Sequence, residues 1–166
     1  QRATGETISL YIMEGEERIC VERLESKQNV RVVARVGRRL PLHAGSAGKL
    51  FLAYLDPGQC QAMLTQHPLH AFTDQTITDP TRLLAEVKKI RQQGYAISHG
   101  EWTFDASGVA APIFNQRGEM IAALTISGPT QRFDEASVTR FITSSTRTAR
   151  HISRLLGYTD TSHPRR

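Results

Sequence analysis

The sequence predicts an α+β fold, in which helices cover the faces of one antiparallel sheet. Strand-like runs fill the first third of the chain and much of its later half, and helix-like runs lie between them and at the end. No strict alternation of strand and helix appears, which favours an antiparallel sheet over a doubly wound parallel one. The 166 residues suffice to bury one core. We expect one domain over residues 1–158 and a flexible tail over residues 159–166.

The first elements are predicted to be strands. Residues 7–13 and 18–24 are rich in strand-forming side chains and flank a polar turn that contains Gly15. Two such runs around a short turn are typical of a β-hairpin. Residues 30–36 form a third β-branched run, bounded by an asparagine and a glycine, and predict a third strand.

Three helices are predicted in the middle of the chain. Small residues at positions 45–48 open an apolar run that ends at Leu55. Asp56 and Asp79 each precede a proline, and an aspartate N-cap followed by proline at the first helical position is a typical helix start. Gly94 suits the end of the third helix, because glycine readily adopts the left-handed conformation found there.

The remaining elements complete the sheet and add one long helix. Residues 95–98, 107–115 and 119–127 are strand-like, and the last two runs flank a turn that contains Gly118. Asp134 is predicted to cap the final helix, whose apolar residues keep helical spacing as far as Leu156.

Composition excludes several classes of protein. No apolar run approaches the roughly 20 residues that a membrane-spanning helix needs, so no membrane partner is expected. The 21 Lys and Arg residues against 16 Asp and Glu give a net charge of +5 that is spread along the chain, which is typical of solvated surfaces. DNA binding by this segment itself is therefore not expected. Two separate cysteines without a secretory signal indicate a cytoplasmic protein.

The first candidate site is the run of small residues at positions 45–48. Free N–H groups at a helix N-terminus attract anions, although the same sequence also suits a tight helix start. Ser46 with His43 as its base would give an enzyme acting on a small carbonyl or acyl substrate. No third orienting group or nucleophile elbow accompanies the pair, so a packed, hydrogen-bonded His43 is favoured over catalysis. The histidines and cysteines show no metal-ligand spacing, and no cofactor is expected, although a metal site built from distant residues stays open.

A second candidate set comprises Ser98, Glu101, Thr125 and Ser127. Thr125 and Ser127 alternate with apolar residues on one strand, so their hydroxyls share one face of the sheet. A few hydroxyls within apolar walls are typical of a small-ligand pocket. An exposed sheet face is the alternative that the same alternation allows.

These residues also carry a family resemblance. The chain resembles IclR-type bacterial transcription regulators through the pattern Gly94-x3-Ser98-x2-Glu101-x6-Gly108-Val109-Ala110-x2-Ile113-Phe114-Asn115. Residues 41–49 and 124–129 resemble two further blocks of the family, in the same order and spacing. The resemblance covers about residues 7–156, and Gly108 departs from it, since the family usually has Cys, Ser or Ala there.

The resemblance implies a GAF-like effector-binding domain and a ligand that is a small organic acid. It also implies a dimer or tetramer, which binds operator DNA only through an N-terminal winged helix-turn-helix that this sequence lacks. The amides of Ser46 and Ala47 would meet the ligand's carboxylate, the hydroxyls of Thr125 and Ser127 would bind it, and Gly108 would line the wall.

Two of these positions bear on the identity of the ligand. Ser98 stands where some relatives have aspartate, and glycine at position 108 is expected to enlarge the pocket. We therefore predict an effector larger or less polar than a two- or three-carbon keto acid, with an aromatic acid as the hypothesis. A free-standing ligand-binding or dimerisation module is a further alternative.

Overall fold

The computed structural model describes residues 1–32, 35–66 and 68–159, and within them the predicted α+β fold is confirmed. The six strands are β1 (Thr7–Glu14), β2 (Glu17–Leu24), β3 (Arg39–Pro41), β4 (Ala96–His99), β5 (Ala106–Phe114) and β6 (Met120–Pro129). The four α-helices are α1 (Ser46–Tyr54), α2 (Pro57–Gln66), α3 (Pro80–Gln93) and α4 (Glu135–Leu155). All neighbouring strands are antiparallel, in the order β3-β2-β1-β6-β5-β4.

The predicted hairpin of β1 and β2 is confirmed, but the third strand is wrong. Val30 and Val36 lie in loop or turn and are 68% and 58% exposed, and residues 33 and 34 lie outside the described part of the chain. The strand that extends the hairpin is instead the short β3, which pairs with the start of β2. A β-branched run forms a strand only where a neighbour offers a pairing edge and a buried face, and none of the described residues of this run is buried.

The predicted ends of α3 and the predicted start of α4 are confirmed. The Asp79 carboxylate accepts a hydrogen bond of 2.6 Å from the Arg82 amide at the start of α3, and Gly94 ends that helix with φ of 78°. The Asp134 carboxylate accepts a 2.7 Å bond from the Ser137 amide at the start of α4. Each cap satisfies an N–H group that the helix leaves free.

Two apolar layers enclose the sheet. On one face α1 packs over β4, β5 and β6, and α3 packs against α1, with Leu50 and Ala110 in a shared core. On the other face α4 covers β5 and β6, where Leu124 packs near Ala149, and Ile126 near Phe141. β5 is buried on both sides, which explains its almost continuous apolar sequence.

The apolar face of α4 ends earlier than its spacing predicts. Leu155 is 74% exposed and Leu156 is 46% exposed, so neither belongs to the buried face of the helix. The predicted flexible tail lies outside the described residues from position 160 onward. None of the helices in the described part of the chain has the length and apolarity to cross a membrane.

Candidate functional site

A cavity of about 120 Å³ lies between the N-terminus of α1 and the sheet face that α1 covers. Six of the seven residues predicted for the site line it together. They are Ser46, Ala47, Ser98, Gly108, Thr125 and Ser127. Sequence positions more than 80 apart thus meet in one place, as the resemblance implies.

Strand register explains how the sheet residues come together. Ser98 on β4 stands opposite Gly108 on β5, and Gly108 stands opposite Ser127 on β6. Residues directly opposite in an antiparallel sheet share one face. Leu124 and Ile126 point to the α4 side, so Thr125 and Ser127 face the cavity, which confirms the predicted alternation and excludes the exposed-face alternative.

The N-terminus of α1 forms the roof of the cavity. Gly45 is the N-cap, with φ of 88°, and it supplies no side chain to the first turn, which also holds no acidic residue. The amides of Ser46 and Ala47 have no acceptor among the described residues. Free N–H groups at the positive end of a helix dipole make this wall of the cavity attractive to anions.

Several hydroxyls of the cavity also lack partners. Ser46 and Ser98 are only 6% and 7% exposed, yet neither hydroxyl makes a hydrogen bond within the described residues, and the same holds for Ser127. The Thr125 hydroxyl donates to the Ser9 carbonyl at 3.1 Å. These hydroxyls keep free hydrogen-bonding capacity around one cavity, so they can bind a polar molecule there.

Gly108 lines the cavity directly beneath the Ser46 hydroxyl. A Cβ atom at position 108 would lie 2.9 Å from the Ser46 hydroxyl and 3.6 Å from the Ser98 hydroxyl. The space that a side chain would fill is therefore occupied by Ser46. Glycine at this position lets the Ser46 hydroxyl lie close to the sheet.

Glu101 supports the site from behind and does not line the cavity. Its carboxylate accepts a 2.9 Å hydrogen bond from the Gly45 amide and pairs with Lys49 at 2.6 Å. Lys49 is 2% exposed and also contacts Glu86 at 3.2 Å. Both Glu101 oxygens are therefore engaged within the protein, and the carboxylate holds the N-cap of α1 in place.

His43 takes the packed position favoured over catalysis. Its Nε2 donates to the His70 carbonyl at 2.9 Å, and its ring stacks on Phe72 with centroids 5.4 Å apart. Burial lowers the pKa of His43, with the arginine at position 18 contributing in the same direction. A ring held in this way is not bonded to Ser46 as a general base would be.

Four large side chains around the cavity were not predicted from the sequence. They are Tyr11, Arg18, Arg38 and Trp102. One signal could have found Arg18, since it precedes the buried Cys20 by two residues on β2 and so shares its face. No three His, Cys, Asp or Glu side chains of the described residues converge as a metal site would require.

The fold and the cavity define an α+β domain that holds a small polar pocket against one face of an antiparallel sheet. A family model described as "Bacterial transcriptional regulator IclR C-terminal" matches residues 1–154. The chain therefore belongs to the IclR family of bacterial transcriptional regulators and corresponds to their C-terminal domain.

Individual relatives agree with this assignment. The chain is 34% identical to the HTH-type transcriptional regulator XynR of Escherichia coli over 95% of its own length and 62% of that protein. It is 35% identical to KipR of Bacillus subtilis over 95% of its length and 63% of that protein. The chain thus spans about three fifths of these relatives. The family is one of regulators, not of enzymes.

Solved structures give the same result. The Thermotoga maritima IclR structure superposes with a TM-score of 0.90 at 32% identity, covering 95% of this chain and 64% of that one. The C-terminal domain of the E. coli regulator KdgR superposes with a TM-score of 0.84 at 31% identity, covering 95% and 91%.

Proposed function

We propose that this chain is the effector-sensing part of a transcription regulator and that the effector is a small organic acid. The observation that carries the proposal is the pairing of free amides at the N-terminus of α1 with unpartnered hydroxyls across the same cavity. A carboxylate would satisfy the amides of Ser46 and Ala47, and the hydroxyls of Ser98 and Ser127 would bind its remaining polar groups. The residues that we propose for ligand contact also include Gly108 and Thr125.

The cavity volume favours a compact acid. The cavity offers about 120 Å³, which is less than the roughly 150 Å³ of an engineered cavity that binds benzene. Tyr11 and Trp102 would flank a ring, but the space that glycine at position 108 was expected to provide is filled. We therefore replace the aromatic-acid hypothesis by that of an aliphatic acid of a few carbons.

The acid would regulate DNA binding by shifting a population of conformations. It must bind one arrangement of domains or subunits more tightly than another, since equal affinity changes nothing. We propose that self-association, as a dimer or tetramer, transmits this difference to an attached winged helix-turn-helix on operator DNA. The coupling and a cytoplasmic location are proposed for the whole protein, since the chain spans about three fifths of its relatives' length.

The proposal predicts that small carboxylates raise the melting temperature and that Ser46→Pro abolishes the effect. Ser46 is the first residue of α1, where proline is well tolerated, and the extended ψ of 156° at Gly45 suits a following proline. The variant thus removes the amide donor with little disturbance of the helix. Ligand at 100 times its dissociation constant stabilises by about 2.7 kcal/mol, which a thermal-shift assay detects.

Ser46→Ala is the matched control, because it removes the hydroxyl and keeps the amide. We expect it to weaken binding less than Ser46→Pro, and we expect Ser127→Ala to weaken binding by about tenfold, as loss of one hydrogen bond of about 1.4 kcal/mol would. If Ser46→Pro and Ser127→Ala both respond like the parent, the ligand lies elsewhere. A response to benzoate alone would restore the aromatic hypothesis.

A further inference from the structure

Arg18 is a buried cation in the wall of the cavity that has no anionic partner. Arg18 is 4% exposed, and its Nη1 donates a hydrogen bond to the Pro41 carbonyl. No carboxylate of the described residues comes within the 4.0 Å of an ion pair. The Pro41 carbonyl and the Tyr11 ring, whose centroid lies 5.8 Å from the Arg18 Cζ, contact the guanidinium but leave its charge without a counter-ion. Buried charges are normally paired, so a carboxylate would complete this position.

The guanidinium lies beside the proposed carboxylate position. Its Nη2 would be 3.0 Å from a Cβ atom at Gly45, the N-cap of α1, and its Nη1 would be 2.5 Å from one at Gly48. The guanidinium can come this close because neither glycine has a side chain. A cation next to the positive end of a helix dipole raises the electrostatic potential there further.

A second arginine adds to the charge of the same wall. Arg38 also lines the cavity, with its Cζ 5.4 Å from the centroid of Trp102. Burial and then the repulsion from Arg38 lower the pKa of Arg18 to about 10, against the attraction of Tyr11 and Glu101. Arg18 is thus still charged at neutral pH, and Glu101 is already engaged by Lys49 and Gly45.

We propose that Arg18 gives the cavity a second anion-binding position, so that the effector is a small aliphatic diacid. One carboxylate meets the amides of Ser46 and Ala47, and the other meets the guanidinium of Arg18, with Arg38 beside it. This inference rests on the proposed function. It adds a second carboxylate to the effector, because a single carboxylate bound to the amides of α1 would leave the buried charge of Arg18 only partly compensated. The small volume limits the chain between the two carboxylates to a few carbons.

The test compares acids of equal length that differ by one carboxylate. Malonate, succinate and glutarate are titrated against propionate, butyrate and pentanoate, with the melting temperature as the readout. We expect at least one diacid to bind about tenfold or more tightly than its monoacid, as a charge-assisted bond to arginine would provide. Arg18→Met is expected to remove that preference while the monoacid response remains.

Two further variants keep the test decisive if Arg18→Met does not fold. Arg18→Lys keeps the charge without the planar fork and is expected to reduce the preference. Arg117→Gln changes an exposed arginine that does not line the cavity and is expected to retain the preference. A parent that binds monoacids as tightly as diacids overturns the diacid assignment, and the proposed acid site survives if Ser46→Pro still abolishes binding. If none of the six acids binds, the diacid assignment is overturned as well.

Discussion

Replacing Lys49 by methionine is expected to lower the free energy of unfolding by about 3–5 kcal/mol, because it leaves a buried carboxylate without its counter-ion. Lys49 is 2% exposed, and its ammonium contacts Glu101 at 2.6 Å and Glu86 at 3.2 Å. Methionine fills a similar volume, so the loss reports the charge and not a cavity. Urea denaturation of the two proteins measures the difference.

Two further variants separate the contribution of the Lys49–Glu101 ion pair to stability from the contribution of each side chain alone. Glu101→Gln is expected to cost less than Lys49→Met, since Lys49 keeps Glu86 and the amide oxygen can still accept from Gly45. The double variant is expected to be more stable than Lys49→Met alone, because neither buried charge of the pair remains. Equal losses in the single variants, or a double variant at their sum, would contradict this account of the pair.

The matched control is Arg117→Met, which breaks an ion pair whose side chains are 72% and 55% exposed. Exposed pairs contribute little to stability, because water already solvates both charges. We expect the control to unfold at nearly the parent's urea concentration. If Lys49→Met does the same, the buried ion pair has no structural role.

Helix ends could be predicted from the sequence because their signals are local. The aspartate and proline at positions 79 and 80 determine a helix start through bonds that reach only to Arg82. The third strand could not be predicted in this way. Whether Val30 enters a sheet depends on a distant pairing edge, and the chain instead pairs Arg39–Pro41 with β2.

The candidate site could be predicted only in part, because local signals are visible in the sequence and long-range contacts are not. Alternation along one strand was enough to place Thr125 and Ser127 on a common face. The partners of Arg18 and Glu101 depend on long-range packing that spacing along the chain does not reveal. The sequence shows both charges, but only the fold shows that Lys49 engages Glu101 and that no carboxylate engages Arg18. Gly108 was likewise predicted to leave open space that Ser46 in fact fills.

The substitution Gly48→Ala is expected to destabilise the domain by about 3 kcal/mol, although glycine to alanine in an exposed helix stabilises by about 1 kcal/mol. Gly48 lies in the first turn of α1, and a Cβ there would stand 2.7 Å from the Leu42 carbonyl carbon and 2.5 Å from the Arg18 Nη1. Real Cβ atoms essentially never come that close. The backbone of residue 42 cannot yield as a flexible side chain can, so the helix must shift.

Gly58→Ala is the control for Gly48→Ala, because Gly58 is an exposed helical glycine of α2 whose added Cβ would meet only the Asp56 carboxylate, at 3.1 Å. We expect the control to unfold at or near the parent's urea concentration. We also expect Gly48→Ala to weaken the response to acids, since displacing Arg18 and the first turn of α1 disturbs both proposed anion positions together. Equal stability of the two alanine variants would show that α1 tolerates the added carbon. It would also show that the close packing of Arg18 against Gly48 does not determine the shape of the site.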